Sequence, residues 1–468
     1  MKLKSIFSNS FGILLSRITG LGRNTLLAIT LGASGYSDMF FVAFKLANMF
    51  RRIFAEGAFT QAFMPSFVDA KQKGVFATAI FLRFMLFIVA ISLLVTLFPE
   101  NVTKLLVWNW SSEKIAQTAP FTAINFWYLD LIFIVTFLGT LLQYREHFIT
   151  TAVSTALLNL SMITALYFYM HESPMTILYA LSFSVLVGGV LQVISHFFVL
   201  KHLNLHRLLI GGWKYRKEKD VSEDKKKFTK LFVPSVWGNS APQFASYLDT
   251  FLASFLITGS ISYLSYANLL FQLPLGLIAI ATASALFPAI SKALSRGDEA
   301  NAYKNLGEAF WLLAFLLSIS ALGGIIFAEP IIWLLFEYGA FTSTMRVETA
   351  HVLAMYMIGL LPYGLAKLFS MFLYASHRHK KAAKIATIAL VVNIFFSLIL
   401  MQNMGAMGLA LAGSIGGWTL FILTVKEIGF SKLIIILKNR KLIYLIIVVI
   451  LSFLLFLFLN NLLMEWIK

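Results

Sequence analysis

The chain has 468 residues, 59% of them hydrophobic and 13% charged, and a mean hydropathy of +0.81; soluble globular chains carry about 25% charged residues, so a soluble domain is excluded and a polytopic membrane protein is required. The formal charge of +17 does not indicate nucleic acid, because such readers cluster basic residues on a water-exposed surface and here they sit mostly in short segments between apolar runs. With no cysteine, disulfides and thiolate metal sites are excluded as well.

At about 20 apolar residues per crossing, thirteen helical spans are predicted near residues 10–31, 36–62, 75–98, 120–143, 147–169, 176–200, 229–257, 262–291, 304–328, 345–375, 381–402, 405–428 and 440–463. The predicted fold is an all-α polytopic bundle with two pseudo-symmetric six-helix lobes and a C-terminal helix. Its divisions are residues 1–200 (first lobe), 201–228 (basic cytoplasmic linker), 229–428 (second lobe) and 429–468 (an interfacial segment and the last span).

Lys2 and Lys4 before an apolar run resemble the start of a signal peptide. Arg17 and Arg23 interrupt that run and no small-residue cleavage site follows, so the first helix is expected to be retained. Arg17 and Asn24 are seven residues apart and share a face, Arg23 points about 120° away, and Gly20 and Gly22 permit close helix approach.

The second span holds the main charge signal. Asp38, Lys45, Asn48, Arg52 and Glu56 are separated by 7, 3, 4 and 4 residues, the recurrence that stacks side chains on one helical face, and Arg51 stands beside them. Each mid-bilayer charge costs roughly 2.5–3.5 kcal/mol on insertion scales, so the stripe must face protein, water or a ligand. Its cationic excess calls for an anion, and paired arginines suit phosphate groups held by forked hydrogen bonds. If the first helix packs beside the second, Arg17, Arg23, Arg51 and Arg52 converge in a set matched to a pyrophosphate. The competing reading pairs them with Asp38 and Glu56 or lets them snorkel to the inner headgroups. For Lys45, pairing with Asp38 or Asn48 stands beside substrate contact.

Further along, Arg83 lies two turns inside the third span, within reach of the inner interface. Lys201–Lys227 is the one long polar insertion, a basic linker able to rest on anionic lipid headgroups. A shift of 223 residues lays the second span over the eighth, Pro65 on Pro288 and Lys45 on Asn268. Paired bundles about a central site are the usual build of secondary transporters, and the eighth span is uncharged, so the cavity would be electrostatically lopsided. Asp249 is the main acid of the second half; it would bind a coupling cation, take up a proton or meet Lys367 of the tenth span. Ser431–Leu437 is too short to cross and is expected in the inner interface. His202 and His206, and His377 and His379, lack the further ligands of a metal site. With the N-terminus inside, inner segments carry twenty-seven lysines and arginines and outer segments four, the bias that insertion imposes. No phosphate-binding loop, nucleophile elbow or zinc-protease motif is present, so neither enzyme activity nor a cofactor is expected. An ion gradient or the membrane potential is left as the driving force, at roughly 2.3 kcal/mol per charge per 100 mV.

The runs Ser16-Arg17-Ile18-Thr19-Gly20, Ser37-Asp38-Met39-Phe40-Phe41-Val42-Ala43-Phe44-Lys45-Leu46 and, above all, Arg51-Arg52-Ile53-Phe54-Ala55-Glu56-Gly57-Ala58-Phe59-Thr60-Gln61-Ala62-Phe63 closely resemble the MurJ (MviN) family of lipid II flippases. Weaker echoes run through Phe255-Leu256, Gly259-Ser260, Tyr338-Gly339, Phe341-Thr342, Lys367 and Tyr374. The resemblance implies the two-lobed fold of the multidrug, oligosaccharidyl-lipid and polysaccharide exporters. It also implies a cationic cavity that carries the undecaprenyl-pyrophosphate-linked peptidoglycan precursor to the outer leaflet of the bacterial cytoplasmic membrane, with the N-terminus cytoplasmic and the C-terminus outside. On it Arg17, Arg23, Asp38, Arg51 and Arg52 match functionally important family positions. Membrane lipids and other cell-wall synthesis proteins are the further expected partners. Four departures stand out: Asn24 replaces an acid, Ala47 a proline and Leu269 an arginine of the eighth span, and thirteen spans stand where the family has fourteen, which leaves the groove for the lipid tail incomplete. Asp249 falls near a sodium site described for some members. The rival readings are an exporter of another undecaprenyl-linked glycan, a drug or cation antiporter, and a membrane scaffold of cell-wall synthesis that transports nothing.

Overall fold

The computed structural model describes the backbone of residues 3–467; outside the description lie residues 1–2 and 468 and the side chains of residues 3–11, 13, 55–56, 237–239, 241–242 and 466–467, Glu56 among them. The described residues are helical, without strands, and divide into two compact units, 1–255 and 256–468.

The first unit contains α1 (Leu3–Leu31), α2 (Gly35–Phe50), a π-helical segment π1 (Arg51–Phe59), α3 (Thr60–Asp69), α4 (Lys73–Leu97), α5 (Pro99–Leu106), α6 (Ser112–Phe126), α7 (Tyr128–Tyr144), α8 (Ile149–Tyr169), α9 (Pro174–His202), α10 (His206–Lys214) and α11 (Ser222–Ala253). The second contains α12 (Ser260–Pro274), a second π-helical segment π2 (Leu275–Ile280), α13 (Ala281–Ser295), α14 (Glu299–Ile326), α15 (Ala328–Phe336), α16 (Ser343–Ile358), α17 (Leu360–Ala375), α18 (His379–Ile428), α19 (Phe430–Leu437) and α20 (Lys441–Ile467).

Among the described residues nine helices are long and apolar enough to cross a membrane. The rods formed by α1, by α2 with π1 and α3, and by α11 are not among them. Each of these three contains side chains outside the description. The nine include α18, whose fifty residues are two helices merged across Gly405. At Gly405 φ is +55° and ψ −132°, a conformation that only glycine adopts without strain, and it separates the two predicted spans 381–402 and 405–428. The helices are thus consistent with the thirteen predicted crossings.

Helix starts follow local chemistry. Ser34 caps α2 by accepting from the Tyr36 N–H at 3.2 Å, and the Ser37 hydroxyl answers by accepting from the Ser34 N–H at 2.8 Å, so two otherwise orphaned donors are satisfied reciprocally. Pro99 and Pro174 open α5 and α9, where a missing N–H costs nothing.

The division of the chain differs from the predicted one. Residues 201–228 do not form a free linker: α10 packs on α4 so closely that a Cβ on Gly212 would stand 2.1 Å from the Gly74 carbonyl oxygen. The seventh span, expected to open the second lobe, packs as α11 within the first unit. Its Phe228 and Phe232 join an aromatic core in which Phe59 of π1 meets Phe63 at 5.0 Å, Phe133 at 5.1 Å and Phe228 at 6.0 Å. Centroid separations of 4.5–7 Å are those at which aromatic pairs add attraction to simple burial.

The internal repeat has a structural counterpart. Shifted by 223, π1 falls on 274–282, which overlaps π2, and the rod of α2, π1 and α3 has the same helix, wide turn and helix order as α12, π2 and α13. Pro65 and Pro288 occupy matching interior positions of α3 and α13.

Candidate functional site

The charge stripe lies on the rod of α2, π1 and α3. Its first three members, Asp38, Lys45 and Asn48, are on regular α-helix, whereas both arginines begin π1. The Arg-Arg-Ile-Phe-Ala-Glu-Gly-Ala-Phe run is therefore not α-helical as the periodicity predicted. Wide turns of this kind frequently mark functional positions, and they turn side chains away from the register that a continued α-helix would give. Along the stripe burial decreases: Asp38 is buried, Lys45, Asn48 and Arg51 are half-buried, and Arg52 is exposed. Arg52 lies seventeen residues from each end of the rod (Gly35–Asp69), about 25 Å at the α-helical rise, a distance beyond any snorkelling side chain.

Lys45 faces α11. Its Nζ donates to Ser246 Oγ at 2.6 Å, and its charged neighbours are Asp249 and Arg52. Asp249, half-buried one turn further along α11, has Lys45 as a cationic neighbour. Lys367 belongs to α17 of the other unit and is exposed. Pairing of Lys45 with Asp38 or Asn48, one of the two readings open from the sequence, is not seen among the described residues. Asp38 sits in the first turn of α2, where a carboxylate complements the helix dipole, with the Lys114 charge of α6 nearby. Fourteen residues, about 21 Å of helix, separate it from Arg52, so Asp38 is not the acid beside the arginine pair. Glu56 lies outside the described residues.

The first helix packs along α8 rather than chiefly along α2. Arg23 Nη1 donates to Asn159 Oδ1 at 3.1 Å and Nη2 to Asn24 Oδ1 at 3.2 Å. The Asn159 amide in turn donates to the Ser16 carbonyl at 3.2 Å and to Thr19 Oγ1 at 3.1 Å. One buried asparagine thus fixes two turns of α1 and the Arg23 fork. Arg17 is half-buried and has no hydrogen bond or ion pair among the described residues. The structure places Arg23 against α8 and the Arg51–Arg52 pair on a segment packed against α11. Asn159→Leu is expected to cost about 1–3 kcal/mol, the penalty for leaving such groups unsatisfied, and to lower the thermal unfolding midpoint; an unchanged midpoint would remove this clamp from the account.

Three residues of this polar interior escaped the sequence reading. Asn159 and Ser246 carry no charge, so nothing in the sequence distinguishes them from other polar residues of a span. Asp130 did carry a signal, as the only acid between Glu113 and Glu146; it is buried in α7 and accepts a hydrogen bond from Ser92 Oγ at 2.6 Å. At the basic end of the unit, Lys227 of α11 donates to Asp69 Oδ2 at 2.5 Å, and this hydrogen bond, reinforced by the Lys227 charge, holds the Asp69 carboxyl below its usual range.

In the second unit the matching rod carries no charge until Lys292 in the last turn of α13, so the predicted eighth span, 262–291, is uncharged. Asn268, the counterpart of Lys45, accepts a hydrogen bond from the Gln272 amide, and Leu269 is half-buried. Ion pairs of that unit lie elsewhere: Arg346 bridges Glu329 at 3.0 Å and Glu337 at 2.8 Å, and Glu427 pairs with Arg378 and Lys381.

Comparison with known proteins adds the following. The sequence model of the family described as "Lipid II flippase MurJ" matches residues 27–468. A Helicobacter pylori protein named "Probable lipid II flippase MurJ" is 47% identical over 427 residues, which is 89% of this chain and 92% of that protein. "Lipid II flippase MurJ" of Burkholderia cenocepacia is 33% identical over 417 residues, 86% of this chain and 79% of its own length. A solved structure titled "Lipid II flippase MurJ, inward closed conformation" superposes with a TM-score of 0.77 at 25% identity, covering 98% of this chain and 99% of that one. An inward-facing multidrug transporter of the MATE family gives a TM-score of 0.65 at 12% identity over 98% and 99% of the two chains, a likeness of fold alone.

Proposed function

The chain belongs to the MurJ family of lipid II flippases, and from that premise we propose how it moves the lipid II headgroup across the bacterial inner membrane, by alternating access with Arg51 and Arg52 as the principal grip on the pyrophosphate. The observation that carries this reading is the pair of adjacent guanidinium groups at mid-length of a membrane rod, one half-buried and one exposed, a placement suited to an anionic ligand because cationic side chains within a membrane span mark substrate pathways. Arginine presents a planar fork that matches phosphate oxygens two at a time. Arg17, Arg23 and Asn48 complete the proposed substrate face, and the polyprenyl tail stays in lipid.

Lys45 with Ser246 and Asp249 acts as a latch between α2 and α11. A monovalent cation at Asp249, or the membrane potential acting on that carboxylate, would displace the Lys45 ammonium and loosen the two helices, which couples the driving force to opening. The orientation follows from the lysine and arginine bias, with the N-terminus cytoplasmic and the C-terminus outside. Other proteins of cell-wall synthesis are proposed partners. A drug or cation exporter would need carboxylates where this rod has arginines. The test is translocation of lipid II in vesicles, read by leaflet-specific labelling. Arg52→Glu should insert normally and lose translocation, and full activity in that variant would reject the assignment.

A further inference from the structure

At the basic end of the second unit, α19 and the start of α20 lie against α14 and enclose a cavity of about 530 Å³. Lys304, Lys432 and Lys441 line it together with a single acid, Glu308, and none of the four forms an ion pair among the described residues. Lys432 is half-buried with its Nζ 4.4 Å above the Tyr303 ring, a cation–π contact that holds the ammonium at the cavity wall. The remaining wall is apolar: Trp311 is buried at the base, and Ile435 and Ile436 of α19 form the side. Ile434 and Ile435 are 50% and 67% exposed.

We infer that this cavity binds the phosphate headgroup of an anionic glycerophospholipid. Three unpaired cations and one acid select an anion. A free phosphate would satisfy the lysines yet leave the isoleucines of α19 in water, whereas an amphiphile satisfies both, its phosphate against Lys304, Lys432 and Lys441 and its acyl chain along Ile435. At eight residues α19 spans about 12 Å, too little to cross a bilayer, and its place just before the last long helix puts it at headgroup depth. Basic pockets between helices on the positive side of a membrane protein have the chemistry that anionic headgroups require. The bound lipid would fasten α19 to α14. This inference stands apart from the arginine pair of the first unit, so loss of translocation in Arg52→Glu leaves it untouched.

Thermal unfolding of the purified full chain in neutral detergent provides the test, because a ligand that binds the folded state raises the midpoint in proportion to its affinity. Phosphatidylglycerol should raise the midpoint, while phosphatidylcholine and inorganic phosphate at equal concentration should not. Each change among Lys304→Gln, Lys432→Gln and Lys441→Gln should raise the phosphatidylglycerol concentration needed about fivefold, with Lys432→Arg close to wild type. Lys104→Gln, an exposed lysine in the last turn of α5 of the first unit, should leave it unchanged. Lys304 and Lys441 are exposed, so their variants carry the test if Lys432→Gln fails to fold. An unchanged phosphatidylglycerol response in both would overturn the proposal, as would an equal response to phosphatidylcholine. A response to inorganic phosphate alone would replace the lipid with a free anion.

Discussion

Alanine at both Arg51 and Arg52 is expected to weaken lipid II binding by at least about 100-fold and to abolish the preference for lipid II over undecaprenyl monophosphate. Hydrogen bonds to charged groups are worth about 1.5–3 kcal/mol each, and two guanidinium forks on one diphosphate make at least two of them, so a loss of roughly 3 kcal/mol is the lower bound, equivalent to about 100-fold. The second phosphate is what the paired forks recognise, and its removal from the ligand should therefore cost the wild type far more than the double variant. Arg52 is exposed and Arg51 half-buried, so the fold loses little packing. Arg52→Ala alone should fall between the two, near 10-fold. Binding of the two lipids to purified wild type and variants, measured side by side, decides the matter; equal affinities across all three proteins would dismiss the arginine pair as the diphosphate site.

Lys45→Met is expected to destabilise the first unit by up to about 3 kcal/mol, and adding Asp249→Asn should recover most of that loss. Methionine keeps the stem volume but removes the ammonium that faces Ser246 and Asp249. Taking away one member of a poorly hydrated pair leaves the other charge uncompensated, which costs more than the pair contributed. Neutralising both restores balance, so the double-mutant cycle should show a coupling of about 0.5 kcal/mol or more, the order typical of groups in one polar network. Thermal or denaturant unfolding of the four proteins reads the stability side. The latch predicts in addition that Asp249→Asn, stable or not, transports lipid II with altered dependence on the monovalent cation and on the membrane potential. Additive stabilities together with unaltered transport would reduce Lys45 and Asp249 to independent neighbours.

Much of the second rod was legible because intramembrane charge is so costly that its pattern carries information. Asp38, Lys45, Arg51 and Arg52 stood out by residue type alone, and the apolar run lengths placed the ends of the crossings within eight residues of the observed helix ends. The 223-residue shift that laid Pro65 on Pro288 also anticipated the paired wide turns, although nothing in the residue pattern announced π geometry. Periodicity arguments assume 3.6 residues per turn and read straight through Arg51–Phe59.

Partner choice was the part that sequence reasoning missed. The charges of the second half leave Asp249 a coupling cation, a proton or Lys367, and none of these points to Lys45 of α2, the cationic neighbour it has because α11 packs its phenylalanines into the first unit. Arg23 joins the arginines of the second helix only if α1 packs there, and the sequence does not reveal that Asn159 of α8 holds it. Composition and hydropathy sufficed for the membrane class, the helical spans and the cationic stripe, since each follows from the transfer cost of single residues. Which helix meets which, and therefore whether a given charge is clamped, latched or open, depends on packing between residues distant in sequence, and only the tertiary structure decided it.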